Sequence, residues 1–275
     1  MSNNIAIYNF KGGVGKTTSA LNIGYNWSRL FKVLLIDADP QCNLTNSLAP
    51  LKKATAPTLH DIFRQLLHDQ RVEIKPFEIH PYLHLIPGDY RMSEVESHQQ
   101  FVHEGYEIVR KLLLNLNKDY DLVLIDCPTH FGFYLKSILQ NINSILIPNV
   151  ADAFSITGAE TLVNHLKSIE NIKQINILGM FFNMYRNDRI QNRKVFEYTQ
   201  ELFGNILLDT TISTSIKLRE ATSQGLPISS YLPDHKISKQ FSELSEELLT
   251  KLFEQKAFNP DEINAAIRKL SQIKD

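Results

Sequence analysis

A glycine-rich segment at residues 11–18 lies between an apolar run and a helical stretch, and it constrains the fold more than any other feature. The run before it, Asn4–Asn9, is short and apolar, whereas Lys16–Arg29 has its apolar residues at helical spacing. A glycine-rich turn between a strand and a helix is typical of a βαβ unit with parallel strands. The sequence therefore predicts an α/β fold that begins with this unit.

Further apolar runs alternate with helical stretches along the chain. The predicted strands are Asn4–Asn9, Lys32–Asp37, Leu83–Ile86, Leu122–Asp126, Ser144–Pro148, Ile175–Asn183 and Ile206–Thr210. The predicted helices are Lys16–Arg29, Met92–Leu116, Gly158–Ile169, Gln191–Phe203, Lys217–Ser223 and Ser238–Phe253. Several of the strands are apolar on both faces, which indicates a doubly wound, mostly parallel sheet with helices on both sides.

No linker or internal repeat divides the chain, so the sequence predicts one domain over residues 1–275. Three prolines in the region 49–80 flank a short helical pattern, Leu59–His68, and we expect this region to form a surface insertion. Residues 259–275 begin like a capped helix, with Asn259 and Glu262 spaced as in a capping box and Pro260 at the first helical position.

The composition excludes several classes of protein. With 43% apolar and 21% charged residues, the chain has the proportions of an ordinary globular protein. Its 29 basic and 30 acidic side chains give no overall positive field, so a nucleic acid would have to meet a local basic patch. Two cysteines, Cys42 and Cys127, are too few for a disulfide framework, and no run is long enough for a membrane span. We therefore expect a cytoplasmic protein.

The segment at residues 11–18 has the chemistry of a phosphate-binding loop. The standard pattern requires a glycine where this chain has Phe10, so the loop is a variant with an added lysine, Lys11. Glycines let successive backbone N–H groups face an anion, Lys16 supplies charge to the β and γ phosphates, and the Thr17 hydroxyl can ligate Mg²⁺. The loop therefore predicts a nucleoside triphosphate site formed by Lys11, Gly12, Gly13, Val14, Gly15, Lys16, Thr17 and Thr18.

The loop resembles that of the deviant Walker-A ATPases of the ParA/MinD family, and most closely its Soj-like ParA branch. The family signature, Lys-Gly-Gly-x-Gly-Lys-Thr followed by Ser or Thr, is matched at every position of residues 11–18. The resemblance implies ATP and Mg²⁺ as cofactors and a homodimer of ATP-bound subunits, in which Lys11 reaches the partner's nucleotide. It also implies Lys11, Lys16 and Asp39 as catalytic residues.

Two acidic motifs follow predicted strands, where ligands bind in open α/β sheets. The resemblance implies that Asp39 orients the attacking water, while Asp37 supports the loop and the outer shell of the metal. It also implies that Asp126 holds Mg²⁺ through water, beside the Thr17 hydroxyl. Each aspartate could instead serve only as a turn cap, such as Asp39 before Pro40.

Later motifs continue the resemblance in the same order, although they are less specific. They are PNVADAFSITGAETL, MFFNMYRNDR and TTISTSIKLREATSQGLPISSYLPD. The resemblance implies that Asn183, Pro233 and Asp234 border the adenine. Asn183 could equally cap the turn that follows its strand.

A cluster of basic residues follows Asn183, and the resemblance implies a patch that binds DNA without reading its bases. Contacts to phosphate alone would explain such binding. The alternative is a solvated helix face, which is the usual meaning of a charge run. The candidate DNA-binding residues are Arg186, Arg189, Arg193, Lys194, Lys217 and Arg219.

The resemblance implies a ParA-type ATPase that dimerises on ATP, binds nucleoid DNA non-specifically and hydrolyses ATP when a ParB-like adaptor stimulates it. Such a cycle segregates plasmid or chromosomal DNA. The alternative is a MinD-like ATPase that cycles on a membrane through the helix at residues 259–275. That helix has no aromatic residue, so packing on the protein body is favoured over a membrane contact. A metabolic enzyme on the same scaffold is a third possibility.

Overall fold

The structure is a computed structural model. It describes residues 2–48, 56–68, 74–95, 99–152, 158, 161–162, 166 and 176–255. The strands are β1 (Asn3–Ile7), β2 (Val33–Asp37), β3 (Phe77–His80), β4 (Leu83–Ile86), β5 (Leu122–Asp126), β6 (Ser144–Val150) and β7 (Asn176–Asn183). Within these residues they form one sheet in the order β3-β4-β2-β5-β1-β6-β7. Only the β3–β4 pair is antiparallel there. The predicted doubly wound, mostly parallel sheet is confirmed.

Helices connect the strands and cover both faces of the sheet. The helices in the described residues are α1 (Lys16–Trp27), α2 (Asn43–Leu48), α3 (Leu59–Leu67), α4 (Met92–Val95), α5 (Gln99–Leu116), α6 (Phe133–Leu139), α7 (Ile190–Phe203), α8 (Ile216–Ser223), α9 (Ile228–Tyr231) and α10 (Lys236–Gln255). None of them is both long and apolar enough to cross a membrane.

Alternating side chains of the central strands supply two separate apolar layers. In β2, Val33 and Leu35 pack in the layer that includes α1 and α10, whereas Leu34 and Ile36 pack in the layer that includes α3, α5 and α6. Both sets are buried because each face of the sheet is covered by helices. This double burial explains why the strand sequence is a continuous apolar run.

The C-terminal end of α1 is fixed to the long helix α10. Trp27 is fully buried, and its indole Nε1 donates a hydrogen bond to the Ser245 carbonyl oxygen at 3.0 Å. The Asn26 side-chain amide donates to the Ser245 hydroxyl at 3.1 Å. The helix that begins at the glycine-rich loop is therefore held at its far end by α10.

The carboxyl ends of β1, β2 and β5 meet at one edge of the sheet. In the parallel register, Asp126 of β5 lies between Ile7 of β1 and Asp37 of β2. The glycine-rich loop follows β1 directly, so it lies beside these two carboxylates. This arrangement places the acidic motifs and the loop at the same edge.

Three sequence predictions about the fold differ from the structure. Ile206–Thr210 is not a strand, because the N–H groups of Asp209 and Thr210 donate to the Glu247 carboxylate instead of to β7. Strand β3 was missed because it is an edge strand whose residues are half-buried or exposed, so it has no apolar run. The predicted helix Met92–Leu116 contains two helices, α4 and α5.

The region 49–80, which was expected to form a surface insertion, contains a helix that packs in the core. A capping box at Thr58 and Asp61 starts α3, and this helix buries Leu59, Ile62 and Phe63 in the core. Strand β3 of the same region pairs with β4 at the sheet edge. The predicted helices over 259–275 and over most of 158–169 lie outside the described residues.

Candidate active site

The glycine-rich loop takes a conformation that needs glycine at two of its positions. Gly13 has φ 75° and Gly15 has φ 90°, which is the left-handed region that side chains disfavour. A Cβ on Gly15 would also lie 2.1 Å from the Asn183 Nδ2 atom. Helix α1 begins directly after Gly15, so its unpaired N–H groups face the space above the loop. The arrangement forms an anion-binding cradle at a helix N-terminus.

Lys16 projects from the first residue of α1 into the cradle. Its side chain is largely buried, with the residue only 7% exposed, and Nζ lies 3.4 Å from the Asn9 carbonyl oxygen. Burial lowers its pKa, while the nearby carboxylates of Asp126 and Asp39 oppose that shift. An anion bound in the cradle would stabilise the charged form of this lysine.

Asn9 holds the loop to the neighbouring strand, and it is not among the residues predicted for the site. Its side-chain amide donates to the Pro148 carbonyl oxygen at 2.9 Å, and its Oδ1 accepts from the Lys11 backbone N–H at 3.0 Å. These bonds fix the start of the loop on β6. An asparagine at the end of a strand is a common turn residue, so only the structure could identify this role.

Two buried carboxylates lie side by side at this edge of the sheet, and one of them contacts the Thr17 hydroxyl. Thr17 Oγ1 donates to Asp126 Oδ2 at 2.7 Å, and Asp37 is the register neighbour of Asp126. Burial raises the pKa of Asp126 to about 8 and that of Asp37 to about 6, because ionised carboxylates are costly away from water. Ionisation of the two carboxyl groups is therefore costly without a cation, and a bound cation would stabilise their ionised forms.

The residues present fit a magnesium ion. Within the part of the chain that the structure describes, the Oδ1 atoms of Asp126 and Asp37 are buried without a hydrogen-bond partner, and oxygen is the ligand that Mg²⁺ prefers. Among the described residues, no group of three or more His, Cys, Asp and Glu side chains could hold a metal by itself. Thr17 and Asp126 would therefore hold the ion together with phosphate oxygens and water, which is the usual arrangement for Mg²⁺ with a nucleotide.

Asp39 caps a turn and also lies at the cavity, so the structure is compatible with both of its predicted roles, turn cap and catalytic residue. Its Oδ1 accepts a hydrogen bond from the Gln41 backbone N–H at 2.9 Å, which caps the turn after Pro40. The residue also lines the cavity above the loop. The turn fixes the position of a carboxylate at the edge of the nucleotide space.

A cavity of about 920 Å³ opens above the loop. Its volume matches the range of small-molecule and cofactor sites. The predicted residues on its walls are Gly12, Gly13, Gly15, Lys16, Thr17, Thr18, Asp39, Asn183 and Arg219. Val14 is fully buried in the core, and Lys11 is not among the lining residues.

The residues that line the cavity differ from those predicted to border the adenine. Pro233 and Asp234 are exposed and are not among the residues that line the cavity, so the cavity gives no support for their contact with the base. Met184 and the segment 213–215 line this space instead. Met184 and the polar residues 213–215 were missed because loop residues have no periodic pattern.

Asn183 supports the loop from the end of β7. It is buried, its Nδ2 donates to the Val14 carbonyl oxygen at 2.9 Å, and its Oδ1 accepts from the Met184 N–H at 2.9 Å. It therefore caps the turn after its strand and also lines the cavity. The structure is therefore compatible with both predicted roles of Asn183, a turn cap and a border of the adenine.

Lys11 points away from the cavity of its own chain. Its side chain is 41% exposed and forms an ion pair with Asp152, at the end of β6. Asp152 could not be predicted from the sequence, because an isolated aspartate after a strand usually serves only as a turn residue. The two lysines of the loop therefore have different surroundings, one buried at the cavity and one at the surface.

The predicted basic residues are all exposed, and two segments bring them together. The isolated bridge Tyr185↔Ser213 and the bond from Thr214 Oγ1 to the Met184 carbonyl oxygen (2.9 Å) join the segment before α7 to the segment before α8. Arg186 pairs with Asp188, Lys217 pairs with Glu220, and Arg219 lines the cavity. Arg189, Arg193 and Lys194 lie on the exposed start of α7.

Comparison with known proteins identifies the family. Residues 2–178 match the family model described as AAA domain. The chain is 32% identical over 256 residues to the chromosome-partitioning ATPase Soj of Treponema pallidum, and the match covers 91% of this chain and 98% of that protein.

Two solved structures have the same fold at low identity. One is McdA of Cyanothece in an ATP complex, which has a TM-score of 0.74 and 24% identity and covers 90% of this chain and 96% of that one. The other is the septum site-determining protein MinD of Pyrococcus horikoshii with Mg-ADP, which has a TM-score of 0.70 and 24% identity, with 90% and 96% covered. Together with the glycine-rich loop and its paired carboxylates, these similarities show that the chain belongs to the Soj/ParA family of P-loop ATPases.

Proposed function

We propose that this protein is a single-domain, ParA-type partition ATPase that dimerises on ATP. The observation that carries the proposal is the position of Lys11. This lysine belongs to the nucleotide loop, yet its side chain lies at the surface beside Asp152 and outside the cavity of its own chain. A loop lysine placed there is suited to the nucleotide of a second subunit. A dimer that closes over two ATP molecules would use it in this way.

Each residue of the site has a separate part in ATP hydrolysis. The loop N–H groups and Lys16 bind the phosphates, and Asp39 positions the attacking water from its capped turn. Lys11 of the second subunit would neutralise charge that develops on the leaving phosphates. The Mg²⁺ held near Thr17 and Asp126 would neutralise charge on the β and γ phosphates.

The ATP-bound dimer is proposed to bind DNA without sequence preference. The exposed basic residues Arg189, Arg193 and Lys194 support this, because they lie on the segment that joins the nucleotide cavity through Met184. Contacts to phosphate would make the binding sensitive to salt. The chain as a whole carries a net charge of −1, so this local surface would have to supply the attraction.

The cycle is proposed to close through a ParB-like adaptor that binds the centromere and stimulates hydrolysis. Release of the dimer from nucleoid DNA would then move plasmid or chromosomal cargo. The 32% identity to a chromosome-partitioning ATPase supports this reading.

A DNA-binding assay with three nucleotide conditions tests the proposal. Binding of a random-sequence duplex is measured with ATP, with ADP and with no nucleotide, over a range of salt concentrations. We expect binding with ATP alone, a steep fall with salt, and loss of binding when Arg189, Arg193 and Lys194 are changed to Ala. Equal binding in all three conditions, or no binding with ATP at low salt, would contradict the proposal.

A MinD-like membrane cycle is the second candidate. The feature that it would use is the predicted helix over 259–275, where Ile263, Ile267, Leu270 and Ile273 share one apolar face. Flotation with vesicles that contain anionic lipid separates the two candidates. ATP-dependent flotation without DNA binding would support the membrane cycle, whereas DNA binding without flotation supports partition.

A further inference from the structure

The carboxylate of Asp37 accepts two hydrogen bonds from one residue outside its strand, Thr45. Thr45 donates two hydrogen bonds to Asp37 Oδ2, one from its backbone N–H at 2.7 Å and one from its hydroxyl at 2.6 Å. We propose that Thr45 is a positioning residue for Mg²⁺-dependent ATP hydrolysis, acting through Asp37. The proposal rests on the ATPase reaction of the proposed function, and it is independent of DNA and of any adaptor.

The same hydroxyl also binds the loop after β4. The Gly88 backbone N–H donates to Thr45 Oγ1 at 2.7 Å, so the hydroxyl both accepts from one loop and donates to the carboxylate. This arrangement fixes the orientation of the hydroxyl hydrogen, because the acceptor side is already occupied. Thr45 therefore connects Asp37 to a second loop and is held from both sides.

Gly88 packs directly against the carboxylate. A Cβ at this position would lie 2.9 Å from Asp37 Cγ and 3.0 Å from both Oδ2 and the main-chain oxygen of Asp37. Real Cβ atoms do not approach other atoms so closely, so an alanine at Gly88 would have to displace the carboxylate. This close approach requires glycine. A substitution at Gly88 is therefore a second way to displace the Asp37 carboxylate.

The local chain path brings Thr45 back to the strand end. Cys42 adopts φ 53°, which is uncommon for a residue with a side chain, and its N–H donates to the Asp39 carbonyl oxygen at 2.9 Å. The turn leads into α2, which returns Thr45 to Asp37, eight residues earlier in the chain. The turn that positions Asp39 therefore also positions the support of Asp37.

The bonds from Thr45 to Oδ2 leave the other oxygen of Asp37, Oδ1, for the outer shell of the metal. With Oδ2 held by Thr45, Oδ1 is the oxygen of Asp37 that has no hydrogen-bond partner among the described residues, and Asp37 lies beside Asp126 in the sheet register. Groups of this kind hold the waters and ligands of a metal in a fixed orientation, and their loss usually weakens metal affinity or activity by about 10- to 100-fold. Without the Thr45 hydroxyl, Asp37 Oδ2 would keep the bond from the Thr45 backbone N–H but lose the second one, and the carboxylate would be held less firmly.

Four variants test the proposal. Thr45→Val keeps the shape but removes the hydroxyl, and Thr45→Ser keeps the hydroxyl. Gly88→Ala displaces Asp37 without removing a polar group. Thr250→Val is the matched control, because Thr250 Oγ1 bonds to the Glu246 carbonyl oxygen within α10, far from the cavity. Purified protein is assayed for kcat, KM and the Mg²⁺ concentration that gives half-maximal activity.

Binding measurements give a readout that does not depend on turnover. The affinity for a fluorescent ATP analogue is measured in EDTA and in Mg²⁺, and the unfolding midpoint is measured without nucleotide. We expect Thr45→Val and Gly88→Ala to lower kcat by about tenfold, to raise the Mg²⁺ requirement, and to lose most of the Mg²⁺-dependent gain in affinity. Affinity in EDTA should stay within about twofold of the unmodified protein, since the phosphate loop is intact.

The conservative variants decide between positioning and a merely structural role. Thr45→Ser should retain most of the activity and a normal Mg²⁺ requirement, and Thr250→Val should match the unmodified protein. The proposal is overturned if Thr45→Val has normal kcat and Mg²⁺ dependence, or if Thr45→Ser is as impaired as Thr45→Val. It is also overturned if the variants lose affinity equally in EDTA and in Mg²⁺, because that result indicates a damaged cavity. The proposal is also overturned if Thr45→Val keeps the normal Mg²⁺-dependent gain in affinity, and this result can be obtained even in a preparation with no measurable hydrolysis.

Discussion

Lys11 of the nucleotide loop forms an ion pair with Asp152 of the same subunit. The pair connects the start of the loop to the end of β6, and both side chains are more than 40% exposed. In the proposed dimer, Lys11 reaches the nucleotide of the second subunit, so the pair must open before the dimer closes. The ion pair therefore favours the single subunit.

Replacing Asp152 with Asn should make dimerisation easier. Exposed ion pairs contribute about 0.2–1 kcal/mol, so we expect the ATP analogue concentration at the dimerisation midpoint to fall by up to about fivefold. Sedimentation or light scattering over a nucleotide titration measures the change. Asp188→Asn is the control, because it breaks the exposed pair with Arg186 outside the loop. A higher midpoint for Asp152→Asn would show that this carboxylate supports the dimer.

Replacement of the two lysines of the loop should have different effects. Lys16→Ala removes the buried charge of the cradle, and we expect affinity for ATP to fall by about 10- to 100-fold. Lys11→Ala should leave affinity within about twofold while dimerisation is lost, because Lys11 lies outside its own cavity. Equilibrium binding of a fluorescent analogue and light scattering separate these effects. Equal loss of affinity in both variants would contradict the separate roles.

Replacement of Asp39 with Ala should slow hydrolysis without preventing nucleotide binding. Misplacing a reacting group can cost about 100-fold in rate, and we expect a loss of this size when the water is no longer positioned. ATP-bound dimers should then accumulate and persist. A quenched assay for released phosphate, together with light scattering at the same time points, measures both effects. Hydrolysis at the normal rate would mean that Asp39 serves only as the cap of its turn.

The acidic pair predicts a pH dependence of stability in the protein without metal and nucleotide. Asp126 has its pKa raised to about 8 in the folded state, whereas an aspartate in an unfolded chain titrates near about 4. Between these values the folded state binds more protons than the unfolded state. The free energy of unfolding therefore falls as pH rises through this interval. Urea denaturation in EDTA at pH 5, 6, 7 and 8 should show the fall.

Asp126→Asn should reduce this pH dependence, because the amide keeps the shape without the charge. We expect the variant to exceed the unmodified protein in stability at pH 8 by at least about 1 kcal/mol, with a smaller difference near pH 5. It should also lose Mg²⁺-dependent hydrolysis. Asp209→Asn, at an exposed aspartate, is the control for removal of a charge. A variant that is less stable at pH 8 would indicate that Asp126 does not carry an ionisation cost.

The central strands and the loop could be predicted from sequence because their constraints are local. Strands β4 and β5 have the predicted bounds, since their largely apolar runs end near turn residues. Gly13, Gly15, Lys16 and Thr17 are needed by the chemistry of one short segment. A pattern that is confined to a few neighbouring residues can be read without knowledge of the rest of the fold.

The supports of the site could not be predicted because they join distant parts of the chain. Asn9 is fixed by Pro148, Lys11 by Asp152, and Thr45 by Gly88, and none of these pairs has a periodic signal. Pro233 and Asp234 were assigned to the adenine by resemblance alone, and the cavity does not include them. Contacts between loops depend on how strands are ordered in the sheet, which a single sequence does not specify.

The bond between Trp27 and Ser245 gives the protein a built-in optical reporter. The chain has one tryptophan, and this residue ends the helix that the nucleotide loop begins. Its indole is fully buried and hydrogen-bonded to α10, so its emission reports on that junction alone. A shift in emission when ATP is added would show that α1 moves as a rigid body relative to α10. The measurement needs no label on the protein.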